Sequence, residues 1–208
     1  MKAFASVLVL AMVAGSSQAI TISSRPIGSD AGYQSRAVTQ IYNGQAGPYS
    51  AFAAAGGAIG FDDYTSTASG ASTTLASLVF VGGVTNAGET ISFQFFNPDN
   101  SLAADSGSLA LPQGGNFIWT ITFGNLPDGS DSTFQIPTAG ILQLTVGTGT
   151  GRWFLTATPP TIGSNNPTFG GGSQTSVPFN AFSLNAVPAP SSLALLGLGG
   201  LVAGRRRR

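Results

Sequence analysis

Phe117-Ile118-Trp119-Thr120-Ile121-Thr122-Phe123 is the stretch that points most directly to the fold class. Phe117, Trp119, Ile121 and Phe123 occupy every second position, with Thr120 and Thr122 between them. An extended chain sends successive side chains to opposite faces, so these seven residues read as a strand with one aromatic, buried face. Aromatic and β-branched side chains suit a pleated, half-buried surface.

The same pattern continues on both sides. Ile91-Ser92-Phe93-Gln94-Phe95 turns Ile91, Phe93 and Phe95 inward and ends at Asn97-Pro98-Asp99-Asn100, a strong turn signal. Residues 75–81 read as a strand with Leu75, Val79 and Val81 on one face, and residues 134–136, 141–146, 153–158 and 179–185 follow as strands. Leu126-Pro127-Asp128-Gly129, Pro137-Thr138-Ala139-Gly140 and Gly147-Thr148-Gly149-Thr150-Gly151 separate them as turns by composition. Val38, Ile41 and Tyr42 share a helical face, but Asn43-Gly44 stops that run, and a strand is the better reading. Residues 159–172 form a long loop, and no internal repeat is visible. Short strands spaced by turns indicate an all-β protein, an antiparallel β-sandwich or jelly roll. Residues 20–186 give room for one such domain, which would bury about two-thirds of its unfolded surface.

Composition excludes much chemistry. The 208 residues contain neither cysteine nor histidine, which removes disulfides, thiolate nucleophiles and the commonest metal ligand and general base. Lys2 is the only lysine. Between residues 20 and 186 three arginines, Arg25, Arg36 and Arg152, stand against eight carboxylates, a net charge of −5. Such a surface does not neutralise a phosphate backbone, so no nucleic-acid partner is expected.

Few residues remain as candidates. Asp62-Asp63, in Gly60-Phe61-Asp62-Asp63-Tyr64, is the adjacent carboxylate pair, a source of oxygen ligands for Ca²⁺ or of an acid and base for glycoside cleavage. On a strand, neighbours point to opposite faces, which argues against a shared site and for a solvated strand end. Asp128-Gly129-Ser130-Asp131 lacks EF-hand spacing and reads as a hairpin turn, and Glu89 lies in a turn of its own. Trp119 and Trp153 are possible sugar-stacking platforms, yet each alternates among apolar residues, so core packing is preferred. Gly147 to Gly151 offers alternating glycines, but no helix follows to bind a phosphate. The expectation is a non-enzyme with no catalytic residue, no cofactor and no metal site.

Both ends of the chain carry targeting logic. Lys2, an apolar run from Ala3 to Gly15 and Ser17-Gln18-Ala19 read as a signal peptide over residues 1–19, cut between Ala19 and Ile20. At the other end Val187-Pro188-Ala189-Pro190 is followed by an apolar run from Leu193 to Gly204 and then by Arg205, Arg206, Arg207 and Arg208. The prolines enforce extended backbone. A dozen helical residues reach about 18 Å, against a hydrocarbon core of about 30 Å, so the run is at most a short membrane helix. The terminal arginines hold its end on the cytoplasmic side.

This tripartite tail, residues 187–208, resembles the PEP-CTERM sorting signal of Gram-negative-type bacteria. In that family a Pro-Glu-Pro motif precedes a short transmembrane helix and an Arg-rich end; here Ala189 stands where the namesake has Glu. The resemblance implies processing by an exosortase-type membrane protease and transient contact with the bacterial membrane. It also implies an envelope or extracellular destination, often associated with biofilm or exopolysaccharide. The expected function is a non-catalytic structural protein of the envelope or extracellular matrix, with a carbohydrate-binding module acting on exopolysaccharide as the alternative. An aromatic ring exposed on a concave sheet face would separate the two.

Overall fold

The computed structural model describes residues 19–28, 38–169 and 178–188. These residues form twelve strands and no helix: β1 (Ile20–Pro26), β2 (Thr39–Asn43), β3 (Tyr49–Thr65), β4 (Ser72–Val84), β5 (Thr90–Phe96), β6 (Leu102–Asp105), β7 (Leu109–Ala110), β8 (Gly115–Phe123), β9 (Gln135–Pro137), β10 (Ala139–Thr156), β11 (Phe179–Asn180) and β12 (Phe182–Ala186). The pairings are antiparallel. The protein is all-β, as the alternation predicts. The signal peptide up to residue 18, the strand reading of residues 34–37 and the C-terminal helix lie outside the described residues.

The main path of the sheet runs β1-β8-β4-β10-β5-β6, with β12 inserted between β2 and β4. In β8, Trp119, Ile121 and Phe123 are fully buried and Phe117 packs against the same core, while Ile118 faces a smaller cluster on the reverse side. Ile91, Phe93 and Phe95 of β5 are likewise inside. Phe80 of β4 meets Phe93 of β5 edge-on, ring centroids 5.0 Å apart, although these strands are not ladder partners. Phe182 of β12 stacks on Tyr42 at 4.6 Å and touches Tyr64 and Trp153. The inner faces of distant strands therefore press on one another, and burying each ring contributes about 2–3 kcal/mol.

One strand reading and one turn reading need correction. Leu75 does not share a face with Val79 and Val81. The β12–β4 ladder pairs Asn185 with Ser77 but Ala186 with Leu75, which leaves Ala76 as an extra residue. This bulge flips the parity of the strand. Leu75, Leu78 and Phe80 face the main core, whereas Val79 and Val81 join Ile118, Tyr49 and Phe154 on the reverse side.

The segment from Gly147 to Gly151 does not turn. It lies inside the 18-residue β10, which pairs with β3 on either side of it. Val146 faces Gly57 and Thr150 faces Ala55, so three residues of β10 stand opposite one of β3. Gly149 takes the excess at φ 75°. The bulge is pinned from the side: Thr148 Oγ1 accepts the Thr90 N–H at 2.9 Å. The Leu126 to Gly129 turn is as expected, with the Gly129 N–H donating to the Leu126 carbonyl at 2.9 Å. It connects β8 to β9, however, and β9 pairs with β4, so it is not a hairpin.

Candidate functional site

Phe61 to Tyr64 of β3 alternate as a strand must. Phe61 is 42% exposed, Asp62 is fully buried, Asp63 is intermediate and Tyr64 is buried. The two carboxylates thus leave opposite faces of the strand and do not form one site. The expectation of a solvated strand end holds for neither: Asp62 reaches into the core, and Asp63 is half-covered by the loop after β10.

Asp62 Oδ2 accepts the Asn180 N–H at 2.7 Å, and its Oδ1 has no partner. Burial, above all, pushes its carboxyl up to about 8; the Asp63 charge adds to this, while the Asn180 N–H and the Asn165 side chain act the other way. Asn165 is near enough to act on the carboxylate, but neither polar atom of its own side chain makes a well-formed hydrogen bond. Both side-chain polar atoms of Asn180 and the Tyr42 hydroxyl are also buried without partners. Burial raises the Tyr42 phenol, with the charges of Asp62 and Asp63 adding to the effect.

Local folding explains how these groups meet. The Asn43 N–H donates to the Ile162 carbonyl, and Thr65 and Ser164 exchange both backbone bonds, at 2.7 and 2.9 Å. The Asp63 carboxylate accepts the Asn166 N–H at 3.0 and 3.1 Å. Asn165 is therefore held between two pinned neighbours. Asn180 is placed from below by the pairing of β11 with Leu155 of β10. Neither asparagine was singled out by sequence reasoning. The available signal was an amide in the otherwise apolar Phe179-Asn180-Ala181-Phe182.

On the outer face of the same strand, Phe61, Phe96, Asn100, Ile141, Gln143 and Phe169 line a cleft of about 420 Å³. Phe61 and Phe169 meet edge-to-face at 5.6 Å. The exposed ring is thus Phe61, which sequence reasoning passed over, and not either tryptophan. Trp119 and Trp153 are fully buried, and their indole N–H groups donate to the carbonyls of Gly82 and Ala181.

The other acidic candidates serve loops. Asp131 accepts the N–H groups of Asn125 and Leu126, each at 3.0 Å. Glu89 accepts those of Thr85 and Asn86 and the Asn86 side-chain amide. Among the described residues, no three carboxylates group to hold a metal by themselves, and no helix is long and apolar enough to cross a membrane.

The residues at the two expected processing junctions are bonded to the sheet. The Ala19 carbonyl accepts the Gly124 N–H at 2.8 Å, and Ile20 opens β1 opposite Phe123. The Val187 N–H donates to the Thr74 carbonyl at 2.9 Å, so the ladder runs one bond past β12, and Pro188 is exposed. Ala189, Pro190 and Arg205 to Arg208 lie outside the described residues. No curated protein and no solved structure matches the chain. The family comparison does find a match, covering residues 186–208. The C-terminus of this chain carries a PEP-CTERM protein-sorting motif, the exosortase-type signal of an exported, envelope-associated protein.

Proposed function

We propose that this chain is a non-catalytic structural protein of the cell envelope or extracellular matrix, exported by an N-terminal signal peptide and processed by exosortase at its C-terminus. The observation that carries the reading is the junction at Val187: the sorting motif follows the last strand with no linker between them. The absence of cysteine and histidine from the sequence supports a non-catalytic role. We further infer that the halves of the sheet pack as a sandwich, supported by the Phe80–Phe93 contact between strands that are not ladder partners. Intact-mass measurement on protein recovered from the native host tests the reading. A species beginning at Ile20 and lacking Arg205 to Arg208 is expected. An extracellular species that keeps all four arginines would overturn the processing step.

A second reading rests on the cleft at Phe61. Its volume suits a small ligand, and its rings, together with the amides of Asn100 and Gln143, suit an uncharged sugar, whose C–H face stacks on an aromatic ring. In this reading the domain holds exopolysaccharide. Phe61→Ala should leave thermal stability within about 0.5 kcal/mol of wild type and abolish retention on the host's exopolysaccharide in affinity electrophoresis. Equal mobility of variant and wild type in the polysaccharide gel would remove this reading and leave the first intact.

A further inference from the structure

We propose that Asp62, Asn165 and Asn180 form a binding site for a calcium-sized hard cation, buried between β3, β11 and the segment that follows β10. Three side chains drawn from three separated parts of the sequence each present a buried oxygen with no hydrogen-bond partner among the described residues: Asp62 Oδ1, Asn165 Oδ1 and Asn180 Oδ1. The amide nitrogens of both asparagines are unpartnered too, so no hydrogen bond holds either amide against turning its oxygen inward. Asp62 is fully buried and Asn180 is 1% exposed, so solvent does not satisfy them. Buried polar atoms in native proteins are almost always paired, which makes several orphans in one neighbourhood a sign of something bound there. Carboxylate and amide oxygens are the donors that Ca²⁺ takes, at six to eight per ion, and backbone carbonyls and water complete such a set.

The chemistry of Asp62 also favours a cation. Its Oδ2 is fixed by a backbone N–H at 2.7 Å, which leaves Oδ1 as the reactive side of the group. The charge that acts on it belongs to another carboxylate, Asp63, on the far face of the strand. Asp63 does not ligate from there, since its oxygens take the Asn166 N–H. It still deepens the negative potential into which an ion would move. With one carboxylate among the ligands, affinity belongs at the weak end of calcium sites, about 10⁻⁴–10⁻³ M, where extracellular modules operate. An exported protein meets calcium at such concentrations.

The test uses the full chain, stripped with EDTA, with calcium chloride as the probe. Ten millimolar Ca²⁺ should raise Tm by about 3–10 °C, and Mg²⁺, which demands a smaller and more regular shell, should not. Terbium should give luminescence sensitised by nearby Tyr42 and quenched by excess Ca²⁺. Asp62→Asn keeps the shape and the Asn180 bond, so it should fold, and it should lose both the Tm shift and the terbium signal. Should Asp62→Asn not fold, Asn180→Ala serves instead and should weaken Ca²⁺ binding at least tenfold. Equal Tm with Ca²⁺ and EDTA in wild type would overturn the proposal. So would a shift of the same size in the variants, because the ion would then be bound elsewhere.

Discussion

Asp62 and Asp131 are the same side chain under opposite conditions. Asp131 sits on an exposed loop with water at hand, yet its oxygens take two backbone N–H groups and the Asn125 amide. Asp62 is cut off from water and makes one hydrogen bond. Bonding from the Leu126 and Asn125 N–H groups holds the Asp131 carboxyl below its ordinary range, and burial holds that of Asp62 above it. Where solvent is free to satisfy a carboxylate, the protein does so anyway; where solvent is excluded, the chain leaves the job unfinished. The loop acid is a fastener. The buried acid keeps one oxygen without a partner among the described residues.

The largest effect measures the core that makes Asp62 unusual. Trp119→Ala should cost about 3–5 kcal/mol in denaturant unfolding, because a fully buried indole leaves a cavity. A cost under 1 kcal/mol would mean the interior is loosely packed, and the contrast between the two acids would lose its basis. Next comes Asp62→Ala, which strands the Asn180 N–H and should cost about 1–3 kcal/mol in EDTA. Gly149→Ala should cost about 1–2 kcal/mol for its left-handed backbone alone. The added Cβ would also lie 2.0 Å from the Glu89 carboxyl and displace it. Smallest is Asp131→Ala, which should raise hydrogen exchange at Asn125 and Leu126 with little change in global stability. The folded Asp131 carboxyl titrates below its unfolded value, so its contribution is full above the ordinary aspartate range and fades as pH falls through the folded value. Asp131→Ala should therefore flatten only the acid limb of a stability–pH curve.

The strands were legible where side chains alternate without interruption. Residues 117–123 and 91–95 carry their period on their face, and the structure keeps it. The parity change in β4 was not legible, because Ala76 becomes extra only through the pairing of its neighbours Ser77 and Leu75 with Asn185 and Ala186, more than a hundred residues away. Gly147 to Gly151 misled because glycine composition marks a bulge and a turn alike, and only β3, continuing past it, distinguishes them. The burial of Asp62 was hidden for a similar reason: its neighbours Asn165 and Asn180 arrive from the other end of the sequence. The sorting motif was readable from residues 187–208, since its proline pair, apolar run and arginine block are features of sequence and not of fold.

The two ends of the domain are attached differently, and that has a mechanical consequence. Among the described residues β1 pairs with β8, whereas β12 is bonded to β2 on one side and β4 on the other. A pull on residues beyond Val187 enters the sheet through β12 and loads both ladders in shear, so many bonds must yield together. A pull at Ala19 bears first on the β1–β8 ladder. Forced unfolding is governed by the unfolding rate and not by equilibrium stability. The domain should therefore hold harder when pulled from its C-terminal end than from its N-terminal one.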